Sequence, residues 1–391
     1  MSEPYYCTKC KKTHKSGKLF EDHKQYRQRE EKSITYSDDI IKERLSKYGA
    51  VYLPEDIKED VDDIIGNETK KEMLDDFFQA IKNYEEFTEQ LKDTKLNPNL
   101  TVLLYGPPGT GKTSLTRGFS KKYKIPICVV ESDRLVSPLL GDTIKNIRNV
   151  VELAADISKE RGAFILFFDE IDAIGSERSN IHEVGEIKRA VISFLQVIDR
   201  VNYEGVPLAI FGATNHQHQL DSAIWRRFTF HFKFDFPDYH LRKLIIESFL
   251  STIKNTTIGV DQMIFDRLDE EYRNIQSFSG EFEKKIGRKI SEFEDNLFWA
   301  EYSKRFKDEG ILKLTYGYSG SDIERGTRVS ILKAMNTGLL TYNDFYEALK
   351  LVGGTAIHVD RQDVLSSVSR QENKPLRIES GNKGLPKPPE I

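Results

Sequence analysis

At 391 residues, the chain exceeds one ordinary domain of about 150 residues, so two or three domains are expected. Hydrophobic residues at 38% and charged residues at 31% exclude a fibrous or wholly disordered chain, and no apolar run approaches the roughly 18 residues of a membrane span. The net charge of −4 singles out no partner, and three cysteines build no disulfide framework. With no apolar signal stretch in MSEPYYCTKC, the sequence reads as cytoplasmic and without membrane association.

In chain order, YYCTKCKKTHKSGKLFEDHK comes first. Cys7, Cys10, His14 and His23 have the ligand types and number of a tetrahedral structural zinc site, and so short a segment builds no core without a staple. The spacing departs from the usual finger, since no histidine follows His23 at the required offset and His14 has to serve. A disordered basic arm with incidental cysteines is the other reading. Residues 9 to 32 hold nine Lys or Arg against four acids, whereas residues 37 to 63 hold nine acids against four bases. That reversal marks a boundary between a small zinc-binding segment over 1–32 and an acidic linker over 33–61. The basic segment also leaves nucleic-acid binding open, through salt-dependent phosphate contacts.

From residue 101, short apolar runs alternate with helical stretches: TVLLYG, IPICVVE, AFILFFDE, VPLAIFGATN and FTFHFKFDF. Strands buried on both faces read as unbroken apolar runs, and strands alternating with helices imply parallel crossovers. The expectation is a doubly wound, parallel five-stranded α/β domain over 62–236. Cys128, alone in its strand, reads as a small buried apolar residue. After DFPDYH the strands are expected to stop, and HLRKLIIESFL, SDIERGTRVSILKAM and YNDFYEALKL predict a helical domain over 237–352, with an insertion at about 254–312. Phe282, Ile286, Ile290, Phe293 and Leu297 recur at the spacing of one helix face. From 353 to 391 the apolar pattern thins towards GNKGLPKPPEI, as in a disordered tail.

Chemistry concentrates at the strand ends. YGPPGTGKTS places Gly106, Gly111, Lys112 and Thr113 at the spacing of a phosphate-binding loop, which points backbone N–H groups and a helix N-terminus at phosphate oxygens. Pro108, Gly109, Thr110, Gly111 and Ser114 then belong to the nucleotide contacts, with Lys112 on the β and γ phosphates and Thr113 on Mg²⁺. Asp169 and Glu170 end the run AFILFF, and adjacent carboxylates there call for a cation. Asp169 would bind Mg²⁺, while Glu170 would orient the attacking water. Asn215, with Thr214, ends IFGATN within reach of that water or the γ-phosphate. In DSAIWRRFTF, Arg226 and Arg227 have no acid within four positions, which places their anion elsewhere.

Taken together, these stretches resemble the AAA family of ATPases in the AAA+ superfamily, over roughly residues 62 to 352, and most of all its stand-alone single-ring prokaryotic members. GPPGTGKTS looks like Walker A, FILFFDEIDAIG like Walker B, GATN like sensor 1, and LDSAIWRRFTFHFKFDFPD like the second region of homology. TYGYSGSDIERGTR resembles the start of the lid's nucleotide-facing helix, which implies Gly320 and Ser321 as nucleotide contacts. DDIIGNETKKEML resembles the lead-in segment, implying Ile65 and Gly66 beside adenine. The resemblance further implies ATP and Mg²⁺ as ligands and a homo-oligomer, a hexamer, in which Arg226 and Arg227 act on a neighbour's γ-phosphate. Its expected task is ATP-driven remodelling of a protein substrate. A nucleic-acid-associated ATPase and a slow nucleotide-gated scaffold are the alternatives. The pore loop VSPLLGDT has Leu139, followed by Leu140, where the family usually has an aromatic, which weakens the case for threading.

Overall fold

The computed structural model describes residues 5–7, 12–14, 36–94, 98–135, 142–175, 184–254, 256–288, 292, 296–307 and 310–355, with backbone alone for 5–7, 12–14, 175, 184–188, 296 and 297. They fall into two compact units, one of Met1–Gly106 and Gly111–Phe234, the other of Pro107–Thr110 and Asp235–Ile391. Among the described residues, no helix is long and apolar enough to cross a membrane.

The first unit is built on a sheet of six strands rather than the expected five. Its strands are β3 (Gly49–Tyr52), β4 (Thr101–Tyr105), β5 (Ile127–Val130), β6 (Phe164–Phe168), β7 (Leu208–Thr214) and β8 (Phe230–Lys233), in the order β3-β5-β6-β7-β4-β8. All neighbours pair in parallel except β3, which runs antiparallel to β5 with Gly49 opposite Val130. The extra strand comes from the stretch expected to be an acidic linker. There GAVY follows helix α1 (Asp38–Leu45), whose apolar face buries Ile41 and Leu45 completely. Arg161 holds the start of this stretch by donating to the Tyr36 carbonyl at 2.6 Å and to Asp38 at 2.5 Å.

Side chains alternate across the sheet, as strand geometry requires. Phe164, Leu166 and Phe168 of β6 enter one core with helices α6 (Asp142–Arg161) and α8 (Val184–Glu204). Ile165 and Phe167 enter the other, with α2 (Glu68–Lys82) and α4 (Lys112–Tyr123). Both faces are covered, which is why these strands read as unbroken apolar runs. Cys128 is fully buried, and desolvation pushes its thiol up to about 12. A separate antiparallel hairpin pairs β1 (Tyr5–Cys7) with β2 (Lys12–His14), aligning Cys7 with Lys12 and Tyr5 with His14.

The second unit is helical around one core. It contains α10 (Tyr239–Lys254), α11 (Gln262–Ile286), α12 (Asn296–Arg305), α13 (Ile311–Leu314), α14 (Gly320–Ala334) and α15 (Tyr342–Val352). Strands do not stop altogether, since β9 (Gly259–Val260) and β10 (Leu339–Leu340) pair in parallel. The apolar stripe expected on one helix is divided. Helix α11 ends at Ile286, where Gly287 adopts φ 79° and closes the helix in the left-handed conformation. Phe282 and Ile286 therefore lie on α11 and Leu297 is the second residue of α12, while Ile290 and Phe293 fall outside the described residues. Residues 356–391, most of the expected tail, also fall outside them.

Candidate functional site

The loop between β4 and α4 starts from a backbone that only glycine accommodates. Gly106 has φ 136°, and a Cβ there would stand 1.9 Å from the Phe234 carbonyl oxygen. The chain turns and α4 begins at Lys112, which is 7% exposed. Lys112 Nζ donates to the Gly106 carbonyl and to Asn215 Oδ1, both at 2.8 Å. Two residues 103 positions apart thus meet because β7 lies beside β4 in the sheet. Burial lowers the Lys112 pKa from 10.5 to about 8, against the attraction of Asp169 and Asp172. The ammonium is desolvated with neutral oxygens as close acceptors, an arrangement that a phosphate dianion would strongly favour.

The carboxylates gather at the end of β6. Asp169 is half-buried, and Glu170 is exposed with φ 51°, a left-handed backbone unusual for a residue with a side chain. The Glu170 N–H donates to Asp169 Oδ1 at 3.1 Å, and the Ile171 N–H to the Ala213 carbonyl at 2.9 Å, which ties this turn to β7. Thr113 and Ser114 occupy the first turn of α4, both half-buried. The Thr113 hydroxyl and the Asp169 carboxylate are hard oxygen donors of the kind Mg²⁺ prefers. Gly66 is buried with φ 86°, and Ile64, two residues before it, comes near the loop, its Cγ2 lying 3.9 Å from where a Gly111 Cβ would be.

In the second unit, the loop tip packs on the start of α14. Gly109 has φ 72°, and a Cβ there would meet the Ser321 and Ser319 hydroxyls at 2.4 and 2.5 Å. Its carbonyl accepts the Ser321 N–H at 3.3 Å, and Thr110 Oγ1 donates to the Pro107 carbonyl at 2.8 Å. Gly320 and Ser321 are thereby held beside the loop by a capping box, in which Ser319 and Asp322 each accept the other's backbone N–H. Arg325 pairs with Asp322, and Arg328 with Glu324.

Residues 102–236 match the model of the family described as "ATPase family associated with various cellular activities (AAA)". They form an AAA ATPase domain. ATP hydrolysis is the chemistry of that family. Over 150 residues the chain is 37% identical to the uncharacterized AAA family ATPase y4kL of Sinorhizobium fredii, covering 38% of this chain and 43% of that protein. Over 195 residues it is 34% identical to the 26S proteasome regulatory subunit 6A of Encephalitozoon cuniculi, covering 49% of this chain and 47% of that one. The chain spans about half the length of the curated relatives it matches. In fold it is similar to the crystal structure of the FIGL-1 AAA domain in complex with ADP, with a TM-score of 0.58, 21% identity, and coverage of 87% of this chain and 98% of that one.

The structure adds several details to the sequence reading. Thr214 donates its hydroxyl to Asp172 Oδ1 at 2.6 Å. The sequence does not mark Asp172, because this contact exists only when β6 and β7 are side by side. Arg227 has a carboxylate in its own chain, Asp199, at 2.9 Å from Nε. Arg226 is exposed, and among the described residues its guanidinium has no ion pair or hydrogen bond. Leu139 and Leu140 of the pore loop lie outside the described residues, as do Cys10 and His23. Of Cys7 and His14 only the backbone is described. Among the described residues, no group of three or more His, Cys, Asp or Glu is placed to hold a metal ion.

The lowered Lys112 pKa predicts a pH dependence for nucleotide binding. Phosphate needs the protonated amine, so ATP affinity of the full chain is expected to fall about tenfold between pH 7 and 9, for a group titrating near 8 in the free protein. Equilibrium binding across that interval checks it, and a flat affinity would mean the proton stays without nucleotide. The nucleotide-free fold responds with the opposite sign. Above about pH 8 folded Lys112 has released a proton that the unfolded chain keeps up to 10.5, so its contribution to stability grows as pH rises.

Proposed function

We propose that this chain is an oligomeric, Mg²⁺-dependent ATPase that converts ATP hydrolysis into remodelling of protein substrates. The observation that carries the reading is the buried Lys112 ammonium, held by Gly106 and Asn215 and drawn by Asp169 and Asp172. Such a centre is suited to the β and γ phosphates of ATP. Bound Mg²⁺ would supply polarisation of the phosphate oxygens, with Thr113 and Asp169 as its protein donors. Glu170 orients and polarises the attacking water, Asn215 hydrogen-bonds it or the γ-phosphate, and Pro108, Gly109, Thr110, Gly111 and Ser114 line the phosphates. Ile65 and Gly66 border the adenine, with Gly320 and Ser321 near the phosphate loop.

Arg226 supports the oligomer. An exposed guanidinium unpaired in its own chain is the group a neighbour's γ-phosphate would engage, since arginine stays charged and contacts phosphate in a fork. Protein remodelling is favoured by similarity to a proteasome regulatory subunit, and the ring we propose is a hexamer. The test is dilution. Turnover per chain is expected to collapse as the assembly dissociates, by at least the 10³-fold that trans arginines typically supply. A strictly monomeric preparation that hydrolyses ATP at the undiluted rate per chain would contradict the reading.

A further inference from the structure

The two neighbouring arginines stand in different surroundings. Helix α9 (Ser222–Trp225) is capped by Asp221, which accepts the Ala223 N–H at 2.7 Å. At its end Trp225 is clamped. Its ring stacks on His231 at 4.7 Å with 7° between the planes and meets Tyr105 edge-on at 5.0 Å. His231 Nε2 donates to the Trp225 carbonyl at 2.9 Å, which fixes the peptide leading into Arg226. On the far side Arg227 is drawn back to Asp199 on α8, and Phe228 is buried in the core. The chain is thus fastened immediately before and after Arg226, whose side chain alone projects without an anchor.

The geometry points to a division of labour: Arg226 is the arginine that contacts the neighbouring copy's phosphate, and Arg227 is a positioning residue that works through Asp199 to hold the turn. This rests on the trans-arginine reading proposed above. Arg227 and Asp199 are each about half exposed, at 46% and 49%. Solvent therefore screens the pair in the isolated chain, and covering by another copy would strengthen it. In the pair, Arg227 gives its charge to a carboxylate of its own chain, whereas Arg226 keeps its charge for phosphate. Lysine can replace a group that only needs to pair with Asp199, but it cannot reproduce a guanidinium's fork on a phosphate.

The experiment is steady-state ATP hydrolysis by full-length variants at concentrations where the assembly is intact, with kcat and KM measured separately. Arg226→Ala and Arg226→Lys are each expected to lower kcat by about 10³-fold or more, on the scale of a lost arginine finger, with KM for ATP little changed. Arg227→Gln and Asp199→Asn are expected to lower kcat only a few-fold. Arg227→Lys should stay close to the parent, and the double variant Asp199→Asn/Arg227→Gln should be no worse than either single change, since both remove one interaction. If Arg227→Gln is as inactive as Arg226→Ala, or if Arg227→Lys fails to preserve activity, Arg227 touches phosphate itself and the division of labour is overturned. Undiminished hydrolysis by both Arg226→Ala and Arg227→Gln would instead defeat the underlying trans-arginine reading.

Discussion

Glu170→Gln is expected to reduce steady-state phosphate release by about 10²- to 10⁴-fold, the range that a positioned acid or base contributes, while leaving ATP binding intact. The substitution keeps the size of the side chain and removes its charge and basicity. It also leaves the backbone alone. Glu170 sits at φ 51°, and the turn is held by its N–H to Asp169 and by the Ile171 N–H to Ala213, contacts a glutamine retains. Such a left-handed residue costs roughly 1–3 kcal/mol where the surroundings enforce it, and strained residues of this kind cluster at functional sites. Lys112 and Asn215, the groups proposed for the phosphates, are untouched, so nucleotide should accumulate unhydrolysed on the assembly. Filter binding of labelled ATP beside phosphate release distinguishes the outcomes. Release within threefold of the parent, with ATP bound normally, would remove Glu170 from the reaction.

How much of this was legible in the sequence depended on how far apart the interacting residues lie. The phosphate loop is contiguous, so Gly106, Gly111 and Lys112 announced themselves by spacing, and the apolar strand runs implied a sheet covered on both faces. Asn215 was placed because strand ends of a doubly wound sheet converge. Strand β3 was not legible, because GAVY is four residues long in a stretch dominated by acids and at the sheet's edge has only one partner strand to declare it. Asp199 is not legible in the sequence because it lies 28 residues from Arg227 along the chain and only the packing of α8 brings its carboxylate there. The helix break at Gly287 is signalled by a glycine just after a turn that holds Lys284 and Lys285. The apolar spacing beyond it, continued in α12, outweighed that signal.

Arg242 and Glu292 were equally invisible to periodicity, and breaking their pair is expected to have the largest effect on stability. Arg242 on α10 is 0% exposed, and its two terminal nitrogens donate to Glu292 at 2.6 and 3.0 Å. The same nitrogens reach the Pro237 and Leu312 carbonyls, each at 2.9 Å. Buried Glu271 accepts the N–H groups of Leu312 and Lys313, both at 2.8 Å, so the chain around α13 is held from two sides. Burial pushes the Glu292 carboxyl above its ordinary range even with Arg242 against it, so desolvation outweighs the attraction. From that balance Arg242→Met, which strands a buried carboxylate, should destabilise the second unit by about 3–5 kcal/mol, whereas Arg242→Met with Glu292→Leu should recover most of the loss. The readout is built in. The chain has two tryptophans, Trp225 in the first unit and Trp299 in the second, so urea unfolding followed by fluorescence in a Trp225→Phe background reports the second unit alone. If the double substitution is as damaging as the single one, the ion pair specifies this packing by more than its charge balance, and the desolvation argument is wrong.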